Sequence, residues 1–161
     1  MTVRSRVIDL VGRIFKNVSA VVKNDLNLKA IKRQFNADGS TPVMIEIYED
    51  RALTRIVHRS TYKVGDVTVV PVPDEQADAV VKMDYDTLIY LLKGEIVRRS
   101  PKDGTPYTQP YEFMDAYMDG SIRIYRKHEG QEMQRYMADI LLFQELYKMV
   151  SPKLRQLMGV K

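Results

Sequence analysis

The sequence has no cysteine and no tryptophan, only two histidines (His58 and His128), and no apolar run longer than a handful of residues. Without cysteine there can be no disulfide scaffold, no thiolate metal site and no cysteine nucleophile. A cysteine-free chain suits a reducing compartment, and the cytoplasm is the expected location. Two histidines with no His-x3-His pair give no basis for a zinc site. A membrane-spanning helix needs ~20 consecutive apolar residues, so no transmembrane segment and no secretory signal are expected. No Gly-x-Ser-x-Gly elbow or glycine-rich phosphate fingerprint occurs. Asp103-Gly104 and Asp119-Gly120 are turn dipeptides without the alternating acidic ligands of a calcium loop. Both histidines read as surface residues, and Asp84 and Asp86 read as helix caps rather than an acid–base pair. No enzyme activity, cofactor or metal is expected. The net charge of +4 raises nucleic acid as a partner. However, no basic stripe interleaved with aromatics and no recognised motif supports it, so none is expected.

What is present is amphipathic pattern. At 161 residues the chain is expected to form one domain, residues 1–161. Residues 1–35 carry eight basic groups (Arg4, Arg6, Arg13, Lys16, Lys23, Lys29, Lys32, Arg33) against Asp9 and Asp25, so this end is net +6 and the remainder net −2. Val7, Leu10, Val11, Ile14, Phe15, Val18 and Val21/Val22 recur at helical spacing and predict a basic amphipathic helix from about Arg4 to Lys23. This start resembles a transit peptide, but its apolar face is regular enough to expect a folded helix. A second helix is predicted over Leu26–Phe35, with Asn24 or Asp25 between the two. The basic face could simply meet water, or it could make transient contact with an anionic membrane surface.

Residues 36–127 read as a sheet region with short helices. Val43, Ile45 and Ile47 alternate with Met44, Glu46 and Tyr48, predicting a half-buried strand. Leu53–Arg59 and Tyr62–Val72 predict two more strands in an antiparallel meander, with Pro71 and Pro73 ending the pairing. Ala79–Met83 is a strand, Asp86 is placed to cap a helix Thr87–Lys93, and Gly94 suits a left-handed C′ position. Arg98–Pro110, rich in proline and turn residues, reads as a long surface loop. A short helix follows over Tyr111–Met118, then a strand from Gly120. Residues 128–161 form the C-terminal helix, running from near Glu129 to Val150, where Pro152 interrupts it. Methionines fall on the helix stripes (Met114, Met118, Met133, Met137, Met149), and flexible thioethers pack well against variable apolar shapes.

Two stretches carry a family resemblance: Ala79-Val80-Val81-Lys82-Met83 leading through Leu91-Leu92-Lys93-Gly94, and Ala116-Tyr117-Met118-Asp119-Gly120-Ser121-Ile122-Arg123-Ile124. Their order, followed by a closing amphipathic helix, resembles the sterol carrier protein type 2 family of lipid-binding domains. The connector Ile96–Pro110 is longer than the family's usual link. Ser121 stands where a basic residue is usual, and Arg126-Lys127 where a second glycine is usual. The N-terminal helical region is also longer than a minimal domain needs.

The resemblance implies an α+β fold: about five mainly antiparallel strands covered by N-terminal and C-terminal helices, enclosing an apolar cavity or tunnel. It implies non-enzymatic binding and transport of a lipid or similar apolar molecule, such as a fatty-acyl, isoprenoid or sterol-like ligand. Leu88, Leu92, Phe113, Tyr117, Met133, Met137, Ile140 and Leu141 are the expected lining. The alternative is a protein-interaction or accessory module with the same fold and a filled core. Oligomeric state is left open, a homodimer included.

Overall fold

A computed structural model of the chain describes residues 2–37, 39, 41–126 and 133–157. The first helix, α1 (Val3–Asp25), starts where the Thr2 hydroxyl accepts from the Ser5 amide. Val7, Val11, Val21 and Val22 of its apolar stripe are buried, while Leu10, Ile14, Phe15 and Val18 are half-buried. A second helix, α2 (Leu28–Gln34), is capped by Asn27 rather than by Asn24 or Asp25, because α1 continues through both of those. Lys32 of α2 donates to the Gly65 carbonyl at 2.7 Å.

The main sheet holds five strands. They are β1 (Val43–Tyr48), β2 (Ile56–Val64), β3 (Val69–Val72), β4 (Ala79–Asp84) and β7 (Arg123–Arg126), in the order β3-β2-β1-β4-β7. The β1/β2, β2/β3 and β4/β7 pairs are antiparallel, while β1 and β4 run parallel. The chain thus makes a three-strand meander and then crosses back to lay β4 beside β1. Central position buries both faces of β1, so Met44, Glu46 and Tyr48 are buried and the strand is not half-exposed as its alternation suggested. Pro71 lies inside β3, opposite Tyr62, rather than ending it. An edge strand tolerates a residue that cannot donate.

Between β4 and β7 the chain builds a smaller unit. Helix α3 (Tyr85–Lys93) is capped by Asp84, not Asp86: the Asp84 carboxylate accepts from the Thr87 amide at 2.9 Å. Asp86 sits in the first turn, where negative charge favours the helix dipole. Gly94 closes the helix at φ +74°, and an added Cβ there would lie 2.5 Å from the Arg155 guanidinium. The stretch expected to be a loop instead forms a hairpin, β5 (Glu95–Arg99) with β6 (Pro106–Pro110). The prolines and turn residues that suggested a loop sit at the strand ends and in the turn. Helix α4 (Phe113–Met118) follows. Tyr111, fully buried, ties this unit together: its hydroxyl donates to Asp119 at 2.7 Å, Arg98 pairs with the same carboxylate at 3.0 Å, and Tyr90 meets its ring edge-on at 6.3 Å. Burial pushes the Tyr111 phenol up to about 12.

The last helix, α5 (Met133–Leu157), runs straight through Pro152. Proline leaves the carbonyl four residues earlier without its helical donor. Here the Ser151 hydroxyl donates to that Lys148 carbonyl at 3.3 Å. Val150 and Leu154, buried on either side, hold the segment to the core. Lys153 forms an ion pair with Asp25 at the end of α1. The expected helix start near Glu129 and the placement of His128 lie outside the described residues.

The Asp119 cluster makes a pH prediction. Burial pulls the Asp119 carboxyl upward, but hydrogen bonds from Ser121, Tyr111 and Arg98 outweigh it and hold its pKa below the ordinary carboxylate value. A folded-state pKa below the unfolded one gives stability that is full above ~4 and lost as pH falls through the folded pKa. Solvent screening keeps this contribution under about 1 kcal/mol. In urea titrations, Asp119→Asn should be less stable than the parent at neutral pH, with the gap closing toward about pH 2. A gap independent of pH would show that the charge on Asp119 contributes nothing.

Candidate functional site

The inner face of the sheet and the helices around it do not meet everywhere. Between them lies a cavity of about 160 Å³. Val43, Ile45 and Ile47 of β1 and Val81 and Met83 of β4 line it, because strand periodicity points these positions to one face. Val69 of β3 extends that floor. The roof comes from helices at three- and four-residue spacing: Val11, Ile14, Phe15 and Val18 of α1, and Leu146, Tyr147, Val150 and Leu154 of α5, with Phe143 beside them. Leu88, Leu91 and Leu92 of α3 and Phe113 of α4 supply the remaining wall.

The described lining residues are apolar, and Tyr147 is the one among them with a hydroxyl, which donates to the Leu91 carbonyl. Burial pushes its phenol well above the ordinary tyrosine value, so it is a neutral wall element. Among the described residues, no charged side chain lines the cavity. It can offer dispersion contact and exclusion of water.

The cavity sits where two core clusters meet. Val11, Ile47, Val81 and Leu91 belong to one, and Val69, Leu146 and Val150 to the other. Ile45 shows the consequence. It lies on a central strand, yet it is only half-buried, as are Phe15, Val18, Leu88, Phe113 and Phe143 around the same volume. Contacts in and beside the wall tie α1 to the sheet. Phe15 stacks on Tyr62 with centroids 3.8 Å apart, and Thr68 donates to the Ser19 carbonyl at 3.3 Å.

Three of the residues expected from the sequence, Leu88, Leu92 and Phe113, are in the lining. Tyr117 and Leu141 are not: they are 47% and 42% exposed and face away from the cavity. Tyr117 is on the outer side of α4 because Phe113 and Ala116 face inward on that short helix. Leu141 is displaced because the inward stripe of α5 passes through Leu142, Leu146 and Val150. The side chains of Met133, Met137 and Ile140 lie outside the described residues. Met114, Met118 and Met149 are exposed, so these three stripe methionines do not make this site. Met83, from a strand, is a methionine that does. Sequence reasoning missed the contribution of α1 and the sheet, although their periodicity was visible. His58 is half-buried rather than on the surface, with its Nε2 2.9 Å from the Ser60 hydroxyl. Desolvation lowers its pKa against the opposing pull of Asp74. Among the described residues no cluster of His, Asp or Glu could hold a metal, and no helix is long and apolar enough to cross a membrane.

An unfilled cavity reverses the usual result of enlarging a core side chain. In a full core, added methylenes cost about 1–3 kcal/mol. Val81→Phe, pointing into the void, should leave the urea midpoint unchanged or raised, and should reduce uptake of a small apolar dye. A loss of stability in that range would mean the space is already occupied by packing.

No protein-family model matches the sequence, and no curated protein matches it. Several solved structures are similar to the chain. A conserved hypothetical protein of Thermus thermophilus has a TM-score of 0.48 at 16% identity, covering 86% of each chain. Sterol carrier protein domain 2 of Helicoverpa armigera has a TM-score of 0.41 at 11% identity, covering 87% of this chain and 89% of its own. Sterol carrier protein 2 of Yarrowia lipolytica, in its apo form, has a TM-score of 0.40 at 14% identity, covering 81% of this chain and 88% of its own.

Proposed function

We propose that this protein binds a lipid by its hydrocarbon tail and carries it, without catalysing a reaction. The observation behind this reading is a cavity of about 160 Å³ whose described lining residues are apolar. Engineered cavities of roughly 150 Å³ lined by aliphatic and aromatic residues stay dry and take up benzene-sized molecules. At ~24 cal/mol per Å³, leaving such a volume empty costs about 4 kcal/mol. That is a large share of the ~5–15 kcal/mol by which a domain is stable. A ligand that fills the space recovers dispersion contact and stabilises the folded state by mass action.

The volume also bears on ligand class. A flexible acyl or isoprenoid chain can follow the irregular apolar shape of such a space more readily than a rigid fused ring system. The proposed ligand is therefore a chain lipid, entering tail first with its polar end left at the surface. Leu88, Leu92 and Phe113 are proposed contacts, together with Ile45, Val81 and Phe143. Contact with an anionic membrane is proposed through the exposed charges Arg4, Arg6, Arg13 and Lys16 of α1. Since the apolar face of α1 is turned to the core, such contact is electrostatic rather than insertional, worth about 1 kcal/mol per basic group and weakened by salt. The cytoplasm remains the proposed location.

The test is organic extraction and mass spectrometry of natively purified protein, with native mass spectrometry of the intact complex. A stoichiometric chain lipid is expected, and Leu92→Trp should abolish its retention while leaving the circular dichroism spectrum unchanged. A clean apo mass, with no uptake of oleate, farnesol or cholesterol, would contradict the reading. Together with a tight dimer in sedimentation, it would favour the interaction module.

A further inference from the structure

The helices that roof the cavity cover one face of the sheet, and the opposite face carries a row of charge. In the strand register, Arg59 lies opposite Glu46, Glu46 opposite Lys82, and Lys82 opposite Arg123. These four residues thus form a line across β2, β1, β4 and β7. With strands ~4.8 Å apart, the line spans about 14 Å. Glu46 is its only carboxylate. Its side chain is 6% exposed and fully engaged by Arg59 at 2.8 Å, the Tyr48 hydroxyl at 3.1 Å and Lys82 at 3.6 Å. Burying a carboxylate here is tolerated because several charge-assisted partners surround it.

The cations exceed what Glu46 neutralises. Lys82 is held between two tyrosine rings, 5.8 Å from the Tyr48 centroid and 5.2 Å from that of Tyr125. Burial draws its pKa down, but Tyr48 and Glu46 outweigh that and keep it charged. Arg123 is exposed, and among the described residues it has no ion pair. Two like charges directly opposite on neighbouring strands destabilise a sheet. Lys63 is exposed four residues along β2 on the same face as Arg59, while the further carboxylates on this side, Asp84 and Asp74, accept from the Thr87 amide and the Thr61 hydroxyl.

We propose that the accessible end of this row, at Lys82 of β4 and Arg123 and Tyr125 of β7, is a docking site for an acidic segment of a partner protein, whose carboxylates pair with Lys82 and Arg123. Charge complementarity selects the partner. The cations stand on separate strands along the row, Arg59 on β2, Lys82 on β4 and Arg123 on β7, so they form no single cradle for one phosphate. Single-stranded nucleic acid would need a platform of exposed rings. Tyr125 is exposed but Tyr48 is buried. A bilayer docked here would face the side of the sheet away from the cavity.

The experiment uses the full chain and a fluorescein-labelled glutamate decamer at low salt, read by anisotropy and by amide chemical shifts. Binding should perturb Arg59, Lys82, Arg123 and Tyr125 and weaken as salt rises. Arg123→Glu should reduce affinity about tenfold, and Arg123→Gln by less. Position 123 is exposed, so the fold is preserved, and an unchanged amide spectrum elsewhere confirms it. Arg13→Glu on α1 should leave affinity unchanged. Shifts confined to α1, or an Arg123→Glu variant that binds as well as the parent, would overturn the proposal. So would preferential binding of oligouridylate or phosphatidylglycerol vesicles through the same residues.

Discussion

The structure depends on an incomplete closure: the apolar inner face of the sheet and the helices above it leave a space between them. The Phe15–Tyr62 stack and the Tyr147 bond to Leu91 brace its wall, and the Lys32 bond to Gly65 and the Lys153–Asp25 pair tie the helices elsewhere. Collapse into the void would break several of these at once. Each is modest alone, since exposed ion pairs and hydrogen bonds contribute about 1 kcal/mol or less. Together they oppose the pull toward a filled core, and the half-buried Ile45 at the centre of the sheet records the balance.

This closure separates the two faces of one sheet into two kinds of chemistry. The inner face presents β-branched and aliphatic residues to the cavity, and its specificity is one of shape and volume. The outer face presents an ordered charge row built on a buried carboxylate. Alternation along β1 and β4 generates both, because Val43, Ile45 and Ile47 point one way and Met44, Glu46 and Tyr48 the other. Lys82 occupies the outer side of a strand whose neighbours Val81 and Met83 line the cavity. A single register therefore sets the geometry of both surfaces.

Much of this was legible in the sequence, for identifiable reasons. The period of Val7 to Val22 marked α1, Gly94 marked the end of α3, and Val43–Tyr48 with Ala79–Met83 marked the central strands. Three wall residues, Leu88, Leu92 and Phe113, were among those implied by the family resemblance together with the apolar helix faces. What could not be read was where apolar faces fail to meet. Periodicity marks Leu141 and Leu142 as equally apolar, and only the rotation of α5 against the sheet buries Leu142 and leaves Leu141 exposed. The hairpin at Glu95–Pro110 was hidden because turn residues dominate its composition. The continuation through Pro152 depended on one serine hydroxyl. The outer charge row was invisible for a simpler reason: Arg59, Glu46, Lys82 and Arg123 are far apart in the chain, and only strand order makes them neighbours.

On the proposed reading, a lipid tail enters this cavity and its polar end stays outside. The most direct measurement is methyl NMR of the protein with stearate carrying a nitroxide near the tail end, compared with stearate carrying it near the carboxylate. The account predicts strong broadening of the Val81, Leu92, Leu146 and Val150 methyls by the tail-labelled lipid, and much weaker broadening by the other. Equal effects from both probes, or none at these methyls, would contradict it.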